Sequence, residues 1–203
     1  MSQELIFNHK IRTKELWNIT RSTPTLYLVV ILTYFLINPS YLKLYLLVSY
    51  LGLNISNHIL KQIFKIIYKL TVGVNQPMGI LGLGRRPDKA TDCASFLNFN
   101  NTKPKSYGMP SGHSQLSWCV VTYLLLHIYS KRDSLLKVFT KNNKLRKIYL
   151  IIISLILITF ATLVSYSRVY VEHCHTLQQV IVGGIIGIIF GFVIYYLQKK
   201  FKL

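Results

Sequence analysis

Acidic side chains are scarce in this chain, with 6 Asp plus Glu against 24 Lys plus Arg in 203 residues, a formal net charge of +18. In a soluble protein that imbalance would point to nucleic acid. Cysteine is scarce too. Cys93, Cys119 and Cys174 form an odd set without metal-ligand spacing, so neither zinc nor a disulfide is expected; Cys93 with Cys174 is the one pairing left over. There is no internal repeat, no low-complexity tract and no strand-like alternation of the barrel kind. Residues 1–21 lack a short apolar stretch with a cleavage site, so no removable signal peptide is expected and the segment reads as a polar, amphipathic lead.

What the chain has in place of acidic residues is long uncharged runs. Residues 148–166 and 176–198 contain no Asp, Glu, Lys or Arg, and each reaches the roughly 17 to 25 residues that a spanning helix needs. Residues 114–130 form a third, shorter run. Residues 22–37 and 41–60 are parted by Asn38-Pro39-Ser40, a turn or helix-start signal, and the second carries Lys43 where it can snorkel. Helices satisfy their own backbone groups in lipid. The expected fold is therefore all-α: a polytopic transmembrane helix bundle of about five spans, in one membrane unit over residues 22–203. A re-entrant or surface loop at residues 71–105, rich in Gly, Pro and Asn, is expected to carry function.

The residues with chemistry flank those runs. Pro110-Ser111-Gly112-His113 precedes residues 114–130. A proline can open a helix, leaving the Ser111, Gly112 and His113 amides at its positive end, and Gly112 lets an oxyanion approach closely. Ser165-Tyr166-Ser167-Arg168 ends one run and His175 precedes the next. A guanidinium matches phosphate oxygens bidentately. Gly84-Arg85-Arg86-Pro87 adds a third basic block. Two crossings separate the loop holding Arg86 and His113 from Arg168, so all of these fall on one face of the membrane. The expected site is one for phosphate at a membrane surface.

These blocks resemble the type 2 phosphatidic acid phosphatase superfamily, whose pattern is KxxxxxxRP, PSGH and SRxxxxxHxxxD. Within it, the surroundings of His113 and of His175, Thr176, Gln179 and Val180 look most like the dolichyl-diphosphatase branch. The resemblance implies a lipid phosphate phosphatase without metal or other cofactor. His175 would be the nucleophile forming a phosphohistidine, and His113 the general acid and later base. Arg86, Ser111, Gly112 and Arg168 would bind phosphate, and Gln179 would orient the nucleophile in place of the usual Asp.

Three departures from the pattern matter. Gly79 stands where the first-block lysine belongs, leaving Lys61, Lys65, Lys69 or none to replace it. Six residues rather than five separate Arg168 from His175, which makes His173 a competitor for the nucleophile. Gln179 cannot stabilise an imidazolium by charge, and Glu172 is a candidate to compensate.

The sparse carboxylates near the blocks, Asp88, Asp92 and Glu172, have no EF-hand or paired spacing, which favours metal-free chemistry. The expected substrate is a polyprenyl or dolichyl diphosphate. The alternatives are phosphatidate or another lipid phosphate, and a non-catalytic membrane protein that binds phosphorylated lipid. Partners are the lipid and the membrane, with no nucleic acid and no obligate protein partner. Residues 131–147 hold seven basic residues against Asp133 alone; the positive-inside rule puts them in the cytosol and the site on the lumenal or outer side, in an endoplasmic-reticulum-type membrane for a eukaryotic or viral chain.

Overall fold

The structure is a computed structural model, and it describes residues 3–71, 85–90, 93, 107–137, 140 and 142–203. Its helices are α1 (Gln3–Ile37), α2 (Tyr41–Thr71), α3 (Gly112–Ser130), α4 (Arg132–Lys137), α5 (Asn143–Tyr166) and α6 (Leu177–Lys200), with a π-helical turn at Ser167–Val171. No strand occurs among the described residues.

Trp17–Ile37, Asn143–Val171 and Leu177–Lys200 are long and apolar enough to cross a membrane. Outward-facing Ile151, Leu155, Ile156, Ile185, Ile189 and Phe192 are exposed, as lipid contact requires. α2 and α3 form helices where spans were expected, yet they are not among these three. Asn57, Lys61 and Lys65 on α2, all partly buried, and the buried Ser114, Gln115 and Ser117 on α3 explain why: these faces serve the interior. α1 runs through Pro24 without a break at residues 21 and 22.

α3 lies at the centre. Its N-terminus and that of α6 sit at the same end, and the two helices run parallel at backbone contact. A Cβ on Gly183 would lie 2.6 Å from the Ser111 carbonyl oxygen, one on Gly187 2.2 Å from that of Gln115, and one on Gly191 2.7 Å from that of Cys119. Glycine at every fourth position thus matches carbonyls at every fourth position, one helical turn at a time.

α5 runs the opposite way and is tied to the other two by hydroxyls. Ser114 Oγ donates to the Val180 carbonyl at 2.9 Å. Its single proton being spent there, Ser165 Oγ must donate to Ser114 Oγ across 3.0 Å. Trp118 Nε1 donates to Ser165 Oγ at 3.2 Å. At the other flank Tyr50, Leu53, Leu116 and Cys119 form a buried cluster closed by Tyr27, Leu28, Ile31, Phe190 and Ile194, which fixes α1 and α2 against the central pair.

Candidate active site

The shared end of α3 and α6 gathers the predicted residues, beginning with the helix starts. α3 starts at Gly112 with Ser111 as N-cap, not at Pro110 as the sequence suggests. Ser111 is extended (φ −68°, ψ 116°), and its amide donates to the Gln179 carbonyl at 3.0 Å, so that donor is already used. The Ser111 side chain makes no cap bond; its Oγ is fully buried without a hydrogen-bond partner among the described residues. Such an atom carries a desolvation cost unless a ligand meets it. An added Cβ on Gly112 would lie 3.0 Å from Asn57 Oδ1, a tight contact with the end of a side chain.

The connection from α5 to α6 absorbs the extra residue before His175. After Tyr166 the backbone bonds switch to a wider turn, with Glu172 N–H donating to the Ser167 carbonyl at 2.8 Å, and His173 takes a positive φ of 50°. A π turn accommodates one residue more than an α turn. The Cys174 and His175 amides then both return to the Arg168 carbonyl, at 2.9 and 3.1 Å. His173 is exposed; His175 is 2 % exposed and faces the cluster.

His175 sits between two partners that define its tautomer. Arg86 Nη1 donates to Nε2 at 2.9 Å, and since a guanidinium only donates, Nε2 holds a lone pair. Nδ1 therefore carries the proton and donates to Gln179 Oε1 at 3.2 Å. Burial first, then the charges of Arg86 and Arg168, hold the imidazole pKa well below its usual range.

Gln179 is itself fixed. Its Oε1 also accepts the Thr176 amide and its own amide returns to Thr176 Oγ1, a capping box at the start of α6, while Nε2 donates to the Arg85 carbonyl at 3.4 Å. Gly108 packs so tightly on it that a Cβ there would fall 2.2 Å from Oε1.

Arg168 is fully buried. It pairs with Glu172, and Nη2 donates to the Cys93 carbonyl at 2.9 Å. Glu172 therefore serves Arg168, not His175. Arg86 also donates from Nη1 to the Cys174 carbonyl at 3.0 Å. Its pKa falls to about 10, from burial and then from Arg168. His113 donates from Nε2 to the Arg21 carbonyl at 2.9 Å, which brings the N-terminal helix to the site, and the charges of Arg168, Lys61 and Arg86 act on it.

The three lysines considered for the first-block position differ in their surroundings. Lys61 lies within reach of the Arg86 and Arg168 charges; burial and those two cations lower its pKa to about 8. Lys65 stands over the Tyr107 ring, 5.3 Å from its centre, and Lys69 closes the last turn of α2. Asn57, one turn before Lys61 on α2, donates to Gln115 Oε1 at 2.7 Å. The four-residue spacing of Asn57 and Lys61 was the available signal for a polar α2 face directed at the site.

Cys93 and Cys174 form a disulfide. This corrects the expectation of no disulfide: spacing along the chain says nothing about two residues that the fold brings to 5.6 Å between Cα atoms. Asp92 lies outside the described residues, and no cluster of His, Cys, Asp or Glu able to hold a metal occurs among those described.

Among the described residues, the charges that interact at the site include the cations Lys61, Arg86 and Arg168 and the Glu172 carboxylate. Such a set holds an anion. A match to the PAP2 superfamily runs over residues 42–203. The chain belongs to the PAP2 superfamily.

Dolichyldiphosphatase 1 of Homo sapiens is 43% identical over 83 residues, 40% of this chain and 32% of that protein, and the Mus musculus protein matches equally. The dolichyldiphosphatase of Saccharomyces cerevisiae is 36% identical over 113 residues, 56% of this chain and 42% of its own length. The chain therefore spans less than half the length of these relatives. No solved structure matches it.

Beside this cluster, an apolar groove of about 360 Å³ opens between α5 and α6. Val169, Leu177 and Val180, each within two residues of Arg168, His175 or Gln179, line its near end and Ile188 its far end.

Proposed function

We infer that this chain is a multi-pass membrane phosphatase that removes the terminal phosphate from a polyprenyl or dolichyl diphosphate through a phosphohistidine on His175. The observation that carries the reading is the tautomer of His175: a buried, neutral imidazole with its Nε2 lone pair on an arginine and its Nδ1 proton on Gln179. That is the form a nitrogen nucleophile must have. The names of the relatives support an isoprenoid tail, and the apolar groove between α5 and α6 offers such a tail a lining.

In the first half-reaction the terminal phosphoryl group lies among Lys61, Arg86 and Arg168, with Ser111 Oγ and the Gly112 and His113 amides on its oxygens. Nε2 attacks phosphorus in line, and the bond to the bridging oxygen breaks. His113, as the imidazolium formed beside the anionic substrate with its Nε2–H kept on the Arg21 carbonyl, gives that oxygen its Nδ1 proton, and polyprenyl monophosphate leaves. In the second half-reaction His113 takes a proton from water, whose oxygen attacks the phosphohistidine; the N–P bond breaks and phosphate departs. The three cations and the amides offset charge that develops on the transferring group. Gln179 keeps Nδ1 protonated throughout.

The site faces the lumen of an endoplasmic-reticulum-type membrane or the outside. The basic turn between α3 and α5 supports this through the positive-inside rule, and a disulfide at the site supports it because disulfides persist in oxidising compartments.

The test is phosphate release from a polyprenyl diphosphate by purified protein in detergent with EDTA, run beside His175→Ala and His173→Ala. Release that survives EDTA and His173→Ala but not His175→Ala is the expected result. A clear preference for phosphatidate would sink the substrate assignment. No release from any lipid phosphate by folded protein would leave a binder of phosphorylated lipid.

A further inference from the structure

The Cys93–Cys174 disulfide is the one part of the site that phosphoryl transfer does not itself require. Its two cysteines are 81 residues apart in the chain and buried. Their carbonyls are used crosswise. Arg86, on the same segment as Cys93, donates to the carbonyl of Cys174; Arg168, on the same segment as Cys174, donates to the carbonyl of Cys93. Each half-cystine thus holds the arginine from the other side of the S–S bond. The link is the covalent tie between the segment that supplies Arg86 and the turn that supplies Arg168 and His175. Hydrogen bonds alone would let the two guanidiniums separate as the segments slide.

We propose that Cys93 and Cys174 are positioning residues, whose disulfide sets the separation of Arg86 and Arg168 at the distance where both reach one phosphoryl group. The proposal rests on the phosphate-binding reading of the site. It assigns the disulfide a role in affinity for the anion, beyond a role in holding the fold together. A displacement of about 1 Å in such a site costs on the order of 100-fold in turnover.

The experiment compares three samples in detergent: oxidised wild type, wild type treated with dithiothreitol, and Cys93→Ser/Cys174→Ser. In the treated sample the dithiol closes to its cyclic disulfide, and Cys93 and Cys174 each take an electron and a proton to become thiols. Two readouts are taken well below the unfolding temperature: the dissociation constant for orthovanadate or inorganic phosphate, and kcat/KM for polyprenyl diphosphate.

The expected result is anion binding weakened about tenfold or more, with kcat/KM down by at least as much, in both altered samples. Reoxidation should restore the treated one. Cys119→Ala, on the core face of α3, should bind the anion as wild type does. Where the double variant does not fold, the treated wild type carries the test, with circular dichroism confirming its helix content.

Anion binding and turnover unchanged on reduction, with only a lower unfolding temperature, would overturn the proposal. Alkylation of unfolded, unreduced protein at three cysteines instead of at Cys119 alone would overturn it as well. Wild type that hydrolyses no lipid phosphate would refute the enzymatic reading alone. The anion-binding comparison would still decide the role of the disulfide.

Discussion

The two ends of α3 both carry positive charge, and they carry it in opposite ways. At the Gly112 end Arg168 is fully buried, its guanidinium held by Glu172 and by the Cys93 carbonyl, while Arg86 is held by Cys174 and His175. At the Ser130 end Lys131, Arg132 and Lys137 are exposed. Arg132 and Arg146 share Asp133 at 3.9 and 3.5 Å, around an open cavity of about 640 Å³. Exposed cations are screened by water and salt and contribute little. Cations fixed in a desolvated pocket act on a bound anion at full strength, because their reorganisation has been completed by the fold. Position along one helix therefore separates cations fixed in a buried cluster from cations left in solvent.

The sharpest break of this contrast is His175→Ala, which should lower phosphate release on the order of 10⁴-fold or more, while His173→Ala stays within about twofold. A discontinuous phosphate assay checks both. Next is Arg168→Ala. Removing one member of a buried pair costs about 3–5 kcal/mol, so thermal unfolding should fall by many degrees and phosphate affinity should be lost.

Gly187→Ala tests whether backbone contact between α3 and α6 sets the site. Its Cβ would lie 2.2 Å from the Gln115 carbonyl oxygen. Overpacking of this kind costs about 1–3 kcal/mol, and turnover should drop with it although the residue touches no substrate.

The pH profile is a milder probe. Lys61 loses its charge as pH rises through about 8, so anion affinity should weaken there, and Lys61→Arg should move that limb upward. On the acid side His175 stays neutral below the usual histidine range, so its readiness to attack should persist as pH falls past 6.5 and end only at its lowered pKa. Stability runs the other way. The unfolded chain takes up the proton that folded His175 refuses, so the folded state weakens below pH 6.5. Arg132→Ala and Lys137→Ala should have the smallest effect, within about 0.5 kcal/mol in stability, with unchanged kcat/KM.

Much of this was legible in the sequence. Uncharged runs gave the helices, because a stretch without charge has one way to satisfy its backbone in lipid. Ser111, His113, Arg168 and His175 sit at helix boundaries, where motif spacing survives folding, and the choice of His175 over His173 followed from keeping register with Thr176 and Gln179.

What was not legible depends on distance in space. Lys61 is far from Arg86 along the chain, and only the course of α2 beside the site brings their charges together. The disulfide joins segments whose meeting no local pattern announces. Pro110 was misplaced because a proline is as compatible with the residue before an N-cap as with the first turn. The Gln179 carbonyl, taking the Ser111 amide, decides between them.

The glycine register between α3 and α6 has one more consequence, for sequence change over time. The spacing of the site is set there by backbone against backbone, so it does not depend on which apolar side chains the same helices turn toward lipid. Ile185, Ile189 and Phe192 can drift among apolar residues of other shapes while Gly183, Gly187 and Gly191 cannot. Descendants of this chain can therefore adapt to bilayers of different lipid composition without moving His113 relative to His175.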